Sequence, residues 1–219
     1  MKVLVAGATG QTGRRIVEQL VAKNIATMAL VRDLEKAQSL LPQAVEFVVG
    51  DVLQPETLAK AIAPATVIIS ATGASPSFDP TGPYKVDYEG TKNLIDAAKA
   101  QSIQHFVMVS SLCTSQFFHP LNLFWLVLHW KKQAEEYLQA SGLNYTIVRP
   151  GGLKNEDNND AVVMAAADTL SEGSIPRSKV AQTCIESLFQ RQAQNKIVEI
   201  VARPEAPEKP WPDLFASVV

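Results

Sequence analysis

The sequence predicts an α/β chain built on a doubly wound parallel sheet of about seven strands, with helices on both faces. Three observations predict it. Short apolar runs bounded by turn residues alternate with stretches of helical periodicity along almost the whole chain. The first run, Val3-Leu4-Val5-Ala6, leads directly into Gly7, Gly10 and Gly13, a three-residue glycine spacing that opens a helix. Two segments rich in turn residues, Gly73 to Pro83 and Gly151 to Asp160, follow later strands, at the sheet edge where open α/β folds bind ligands.

In chain order, strands are expected near Lys2 to Ala6, Ala26 to Val31, Val45 to Val49, Thr66 to Ser70, His105 to Ser110, Tyr145 to Val148 and Ile197 to Val201. Each is a continuous apolar run, as a strand covered on both faces requires. Helices are expected near Thr12 to Lys23, Leu34 to Leu40, Pro55 to Ile62, Val86 to Gln101, Leu123 to Ser141 and Ser178 to Gln190, with a short one near Asp213 to Ser217 after a proline-rich tail. Asp33 and Ser178 stand where the second and last of the long helices need an N-cap. At helical spacing, Leu121, Phe124, Trp125 and Leu128 would bury one face against the sheet or a second subunit. With Phe117, Phe118, Trp130, His119 and His129 they also read as the wall of a site for a flat aromatic substrate.

The 219 residues suffice for one sizeable core, so a single domain spanning 1–219 with a small C-terminal elaboration is expected. A net charge of −2 with interspersed signs lacks the basic stripe of a nucleic-acid binder. Cys113 and Cys184 stand far apart and away from metal-ligand spacing, which indicates a reducing compartment and no metal centre. The chain enters a strand at once, without room for a targeting peptide, and its longest apolar stretch, Leu121 to Trp130, is too short to span a bilayer. A soluble cytoplasmic protein is expected, stroma-like in location if the source is a plastid or a cyanobacterium, and either monomeric or homodimeric.

The glycine segment Gly7-Ala8-Thr9-Gly10-Gln11-Thr12-Gly13 suits a pyrophosphate. Gly7 allows the tight turn, Gly10 removes a Cβ from the path of the phosphate, and Gly13 lets the helix pack closely. The helix then aims unpaired N–H groups and its positive dipole end at the anion. Arg32, first after the second strand, suits a 2′-phosphate and so favours NADP over the alternative of a solvated surface arginine, whereas Asp33 is occupied as a cap. Asp51 could accept from an adenine amino group with Val52 against the ring, or be an ordinary turn aspartate. Ala71-Thr72-Gly73 ends the fourth strand with small residues that leave room for a ribose. Ser110-Ser111 ends the fifth, facing the nicotinamide or simply forming a turn.

Together Gly-Ala-Thr-Gly-Gln-Thr-Gly, Val31-Arg32-Asp33, Gly50-Asp51-Val52, Val86-Asp87-Tyr88-Glu89-Gly90-Thr91-Lys92-Asn93-Leu94 and Tyr145-Thr146-Ile147-Val148-Arg149-Pro150-Gly151-Gly152 resemble an atypical short-chain dehydrogenase/reductase over nearly the whole chain. The resemblance extends to the NmrA-like branch, which includes flavin/biliverdin-IXβ reductase, and to the dehydrogenase-like part of a chloroplast envelope translocon subunit. It implies NADPH binding and hydride transfer to a flavin-, quinone- or tetrapyrrole-like acceptor, with a non-catalytic NADP(H)-sensing protein as the alternative. It implies that Pro150 and Gly151 reach the carboxamide and that Lys131 binds ribose, with Ser111 and Lys131 as candidate catalytic groups. Active members carry a Tyr four residues before that Lys; here the position holds Val127, which transfers no proton. Tyr88 and Lys92 show the same spacing one strand too early.

Overall fold

The computed structural model describes residues 1–74 and 78–218; residues 75–77 of the expected loop Gly73 to Pro83 lie outside the described residues, as does Val219. Strands β1 (Lys2–Ala6), β2 (Ala26–Val31), β3 (Glu46–Val49), β4 (Val67–Ser70), β5 (His105–Val109) and β6 (Tyr145–Pro150) fall where the apolar runs predict them, and β10 (Lys196–Arg203) extends the last. Three strands come in addition: β7 (Gly152–Lys154), β8 (Ala161–Ala166) and β9 (Ser174–Pro176). The main sheet has eight strands in the order β3-β2-β1-β4-β5-β6-β10-β8, while β7 and β9 pair separately. All ladders of the main sheet are parallel except β8 on β10.

Side-chain alternation along the strands splits the core in two. Val3, Val5, Ala29, Val107, Val148 and Val198 point to the face covered by α1 (Gln11–Ala22), α2 (Leu34–Leu40), α6 (Arg177–Glu186) and α7 (Trp211–Ala216). Leu4, Met28, Ile68, Phe106 and Ile147 point to the face covered by α3 (Pro55–Ile62), α4 (Thr91–Ala100) and α5 (Val127–Ala140). Chain order reverses between β1 and β4, whose carboxyl ends therefore open a crevice. Ideal Cβ atoms built at the glycines show how tight it is: at Gly7 (φ +75°) one would lie 2.6 Å from the Ala71 carbonyl oxygen, and at Gly13 one would lie 2.1 Å from that of Gly7.

Helix boundaries correct several expectations. The segment before α4 is a π-helix, Tyr84–Gly90, and not a continuous α-helix from Val86. Ser178 is not an N-cap: α6 starts one residue earlier, after the extended Pro176, and the Ser178 hydroxyl bonds the Asp157 carboxylate instead. The helix expected from Leu123 starts only at Val127, because Trp125 and Leu126 both adopt left-handed conformations. Buried Asn122 explains that start, since its Oδ1 accepts from the amides of Leu128 at 2.9 Å and His129 at 3.2 Å, supplying the missing cap from five residues upstream.

Candidate cofactor and substrate site

At the switch point the amino end of α1 carries neither a side-chain cap nor an acidic residue in its first turn. Its leading N–H groups thus face a cradle that side chains would fill, which is the arrangement an anion needs. A cleft of about 480 Å³ runs along the side of α1, lined by Gln11, Arg14, Arg15, Glu18, Gln19, Asp157 and Ser178. Arg15 donates to the Gln11 carbonyl at 2.8 Å and to that of Asn155 at 3.1 Å, while Arg177 donates to Asn155 Oδ1 at 2.9 Å. These arginines tie the Asn155 to Asp160 segment onto α1, so Arg177 pairs with that loop. The residues present fit a dinucleotide pyrophosphate. Thr9 and the half-buried Ala71 and Thr72 stand at the crevice, and Thr72 shares a 3.0 Å hydrogen bond with Ser70.

Arg32 is exposed after β2, and Asp33 caps α2 by accepting from the Lys36 amide at 3.0 Å. Asp51 behaves as a turn residue, its Oδ1 accepting from the Leu53 amide at 3.0 Å. Val52 is held against the next helices: its carbonyl accepts from Asn93 at 2.9 Å, and a Cβ at Gly90 would come within 2.7 Å of its side chain.

A column of side chains four residues apart on α5, Val127, Lys131 and Glu135, borders these strand ends. Val127 packs with Leu112, Cys113 and Leu128. Lys131 Nζ forms a 2.7 Å ion pair with Oδ1 of the buried Asp87 on the π-helix, off the hydrogen-bond line, and Asp87 Oδ2 accepts from the Ala74 amide at 3.1 Å. Gly73 lies beside both, since a Cβ there would be 3.5 Å from Asp87 and 3.9 Å from Lys131. Glu135 is fully buried and accepts from Ser110 at 2.5 Å and from Arg149 at 3.0 and 2.7 Å. Ser111 is half-buried and makes no hydrogen bond through its hydroxyl among the described residues.

Arg149, also fully buried, reaches Asp168 at 2.8 Å and the buried Glu199 at 3.3 Å. Glu199 in turn accepts from the amides of Asp168, Thr169 and Leu170. Burial alone would lower the Arg149 pKa; hydrogen bonding and charge from Glu135, then from Asp168, outweigh it and hold it above its ordinary value. At Asp168 burial pushes upward, but the Ser115 hydroxyl and the Arg149 charge keep the carboxyl below its usual range. Burial, reinforced by the Glu199 charge, raises the Cys113 thiol, and burial lifts Cys184 to about 12, so both remain thiols at neutral pH.

Sequence reasoning missed this network and Asp87. The available signal was a charged residue inside an apolar strand, Arg149 after Val148 and Glu199 between Val198 and Ile200. The aromatic segment is not buried against the sheet, the first of its two expected covers. Only Leu128 of the predicted buried face is buried, whereas Phe117, Leu121, Phe124 and Trp125 are exposed and Phe118 is 96% exposed. Trp130 instead packs with Tyr84 (4.9 Å between ring centroids) and Tyr88 (5.9 Å), and His129 bridges Trp130 to Phe117. Lys92 lies over the Tyr137 ring. Among the described residues no group of acidic, histidine or cysteine side chains is placed to hold a metal ion, and no helix is long and apolar enough to cross a membrane.

The family described as NAD(P)H-binding matches residues 7–191. The chain belongs to it. Within this NAD(P)H-binding family the fold is that of an atypical short-chain dehydrogenase/reductase. An uncharacterized chloroplastic protein of Arabidopsis thaliana is 50% identical over 230 aligned residues, covering 99% of this chain and 82% of that one. Protein TIC 62 of Pisum sativum, chloroplastic, is 38% identical over 250 residues and covers 99% of this chain but 46% of its own length, so the chain spans about half of that relative. The structure of ChuY, an anaerobilin reductase from Escherichia coli O157:H7, matches with a TM-score of 0.78 at 25% identity, covering 94% of this chain and all of the other.

Proposed function

We propose that the protein is an NADPH-dependent reductase of the atypical short-chain dehydrogenase type, acting on a conjugated small-molecule acceptor. The observation that carries this reading is an uncapped helix end over a glycine cradle, lying beside an α5 column that keeps Lys131 but replaces the usual acid with Val127. Gly7, Thr9, Gly10, Gln11, Thr12 and Gly13 would hold the pyrophosphate, Arg32 a 2′-phosphate, and Asp51 and Val52 the adenine. Ala71, Thr72, Gly73 and Lys131 would receive the nicotinamide ribose, with Ser110, Pro150 and Gly151 about the carboxamide. When bound, the reduced cofactor supplies hydride. The chain's own residues bind, orient and exclude water; any proton comes from solvent or from Ser111.

The ChuY likeness supports a reductase and the chloroplastic relatives support the stroma-like alternative to a cytoplasmic location; the protein would act as a monomer or homodimer. NADPH oxidation measured with flavin and quinone acceptors tests the reading, and absence of turnover with every acceptor would sink it. Val127 also favours a second reading, a non-catalytic NADP(H)-responsive binding protein. Pull-downs with oxidised and reduced cofactor separate the two, since identical partners in both states remove the sensor.

A further inference from the structure

Large apolar side chains leave water either by folding inward or by meeting another surface. No Asp, Glu, Lys or Arg stands between Lys99 and Lys131. Within that stretch all seven large apolar side chains from Phe117 to Leu126 are exposed, and they share one tightly bonded knob of chain. Buried Asn122 gathers it: the side-chain amide donates to the Phe117 carbonyl at 2.8 Å, while Oδ1 accepts from the start of α5. A 3₁₀ turn, Pro120–Leu123, closes the middle, capped by His119 Nδ1, which accepts from the Leu121 amide at 3.2 Å. The Phe117 ring meets those of Phe118 and His129 edge-on, at 5.5 and 5.7 Å between centroids.

Trp125 and Leu126 hold left-handed φ values of 57° and 59°, a conformation that a Cβ makes costly. Strain is thus held where the rings turn outward. The exposed fractions of the seven side chains add to roughly four whole ones, on the order of 800 Å² at about 200 Å² each. That exceeds the largest apolar patch of an ordinary monomer, about 300–600 Å², and equals one partner's share of a standard protein interface, about 800 Å². Without charges the patch cannot select a partner of opposite sign, yet it meets its own image without like-charge repulsion. A bilayer is the poorer cover, because an interfacial anchor carries free basic residues around its apolar face. Here the bordering lysines face carboxylates, Lys131 at 2.7 Å from Asp87 and Lys132 at 3.8 Å from Glu136.

We infer that the segment from Phe117 to Leu126 is the contact by which two copies of this chain pair about a twofold axis, each knob seated on the other. The inference selects the homodimer over the monomer and does not depend on the reductase reading. Twofold pairing brings every substituted residue into the interface twice, so a single change at a central ring acts with doubled weight.

Sedimentation equilibrium of the full chain over about 1–100 μM tests this, and a dissociation constant of about 10 μM or tighter is expected for an interface of that area. Phe118→Asp changes a ring that is 96% exposed, so the monomer's fold and its far-ultraviolet circular dichroism spectrum should stay as they are. Pairing should weaken roughly hundredfold or more. Phe124→Asp repeats the test at a second exposed ring of the knob, and Phe189→Asp, at an exposed ring beyond α6, should leave pairing unchanged. Raising salt from about 0.05 M to about 0.5 M should not dissociate the dimer, since no charged pair crosses the contact. A chain still monomeric at about 100 μM, a dimer indifferent to both knob variants, equal weakening by Phe189→Asp, or dissociation by salt overturns the inference. A monomer that sediments with vesicles of phosphatidylcholine and phosphatidylglycerol also overturns it and gives the segment to a bilayer.

Discussion

Replacing Arg149 by methionine is expected to be the most damaging single change away from the cofactor cradle. Two carboxylates, Glu135 and Glu199, are fully buried around the guanidinium. Glu199 would keep three backbone amides as donors. Glu135 would keep only Ser110 at 2.5 Å and a long contact to Thr114 at 3.4 Å. Leaving one buried charge uncompensated costs about 3–5 kcal/mol. For a chain of this length that lowers Tm by roughly 6–20 °C. Urea denaturation followed by circular dichroism measures it, and an unchanged slope shows that the midpoint shift is stability. The double variant Glu135→Met/Arg149→Met should be more stable than Arg149→Met alone, because removing both charges leaves less desolvated charge behind. A loss below about 1 kcal/mol for Arg149→Met, or a double variant worse than the single, would refute the assignment of the cost to Glu135.

Three further outcomes are expected. Gly13→Ala drives a methyl to 2.1 Å from the Gly7 carbonyl oxygen, so it should cost about 1–3 kcal/mol or more and abolish NADPH binding in a fluorescence titration; wild-type affinity would count against the cradle. Arg32→Ala should weaken NADP roughly tenfold to a hundredfold and NAD hardly at all by calorimetry, whereas equal losses would remove Arg32 from cofactor choice. His105 is buried with its ring 2.9 Å from the Thr146 hydroxyl, and burial lowers its pKa from 6.5 to about 4. The unfolded chain takes up that proton first, so the His105 contribution is complete above pH 6.5 and fades as pH falls toward 4. Its slope is at most about 1.4 kcal/mol per pH unit. Urea midpoints of wild type and His105→Gln should converge over that interval; parallel curves would contradict it.

The α/β alternation was legible because parallel strands buried on both faces leave unbroken apolar runs such as Val3 to Ala6. Asp33 was legible as a cap because capping is local chemistry. What escaped was non-local. β8 is antiparallel and partly exposed, and it lies next to the polar Asn155 to Asp160 run that reads as loop. Asp87 acquires its partner only through α5, and Glu199 only through a turn of three amides, so neither is visible as spacing. The periodicity of Leu121 to Leu128 does not become burial against the sheet because the side-chain carbonyl of Asn122 is a tertiary cap that sets the helix start after the aromatic residues.

The π-helical segment Tyr84–Gly90 fixes how much length variation this part of the chain tolerates. An α-helix turns about 100° per residue, so deleting one residue there would restore ordinary winding and swing Asp87 out of register with Lys131. Point substitutions at the exposed Lys85 leave that register intact, whereas a single-codon deletion between Tyr84 and Gly90 disconnects α5 from the carboxyl end of β4.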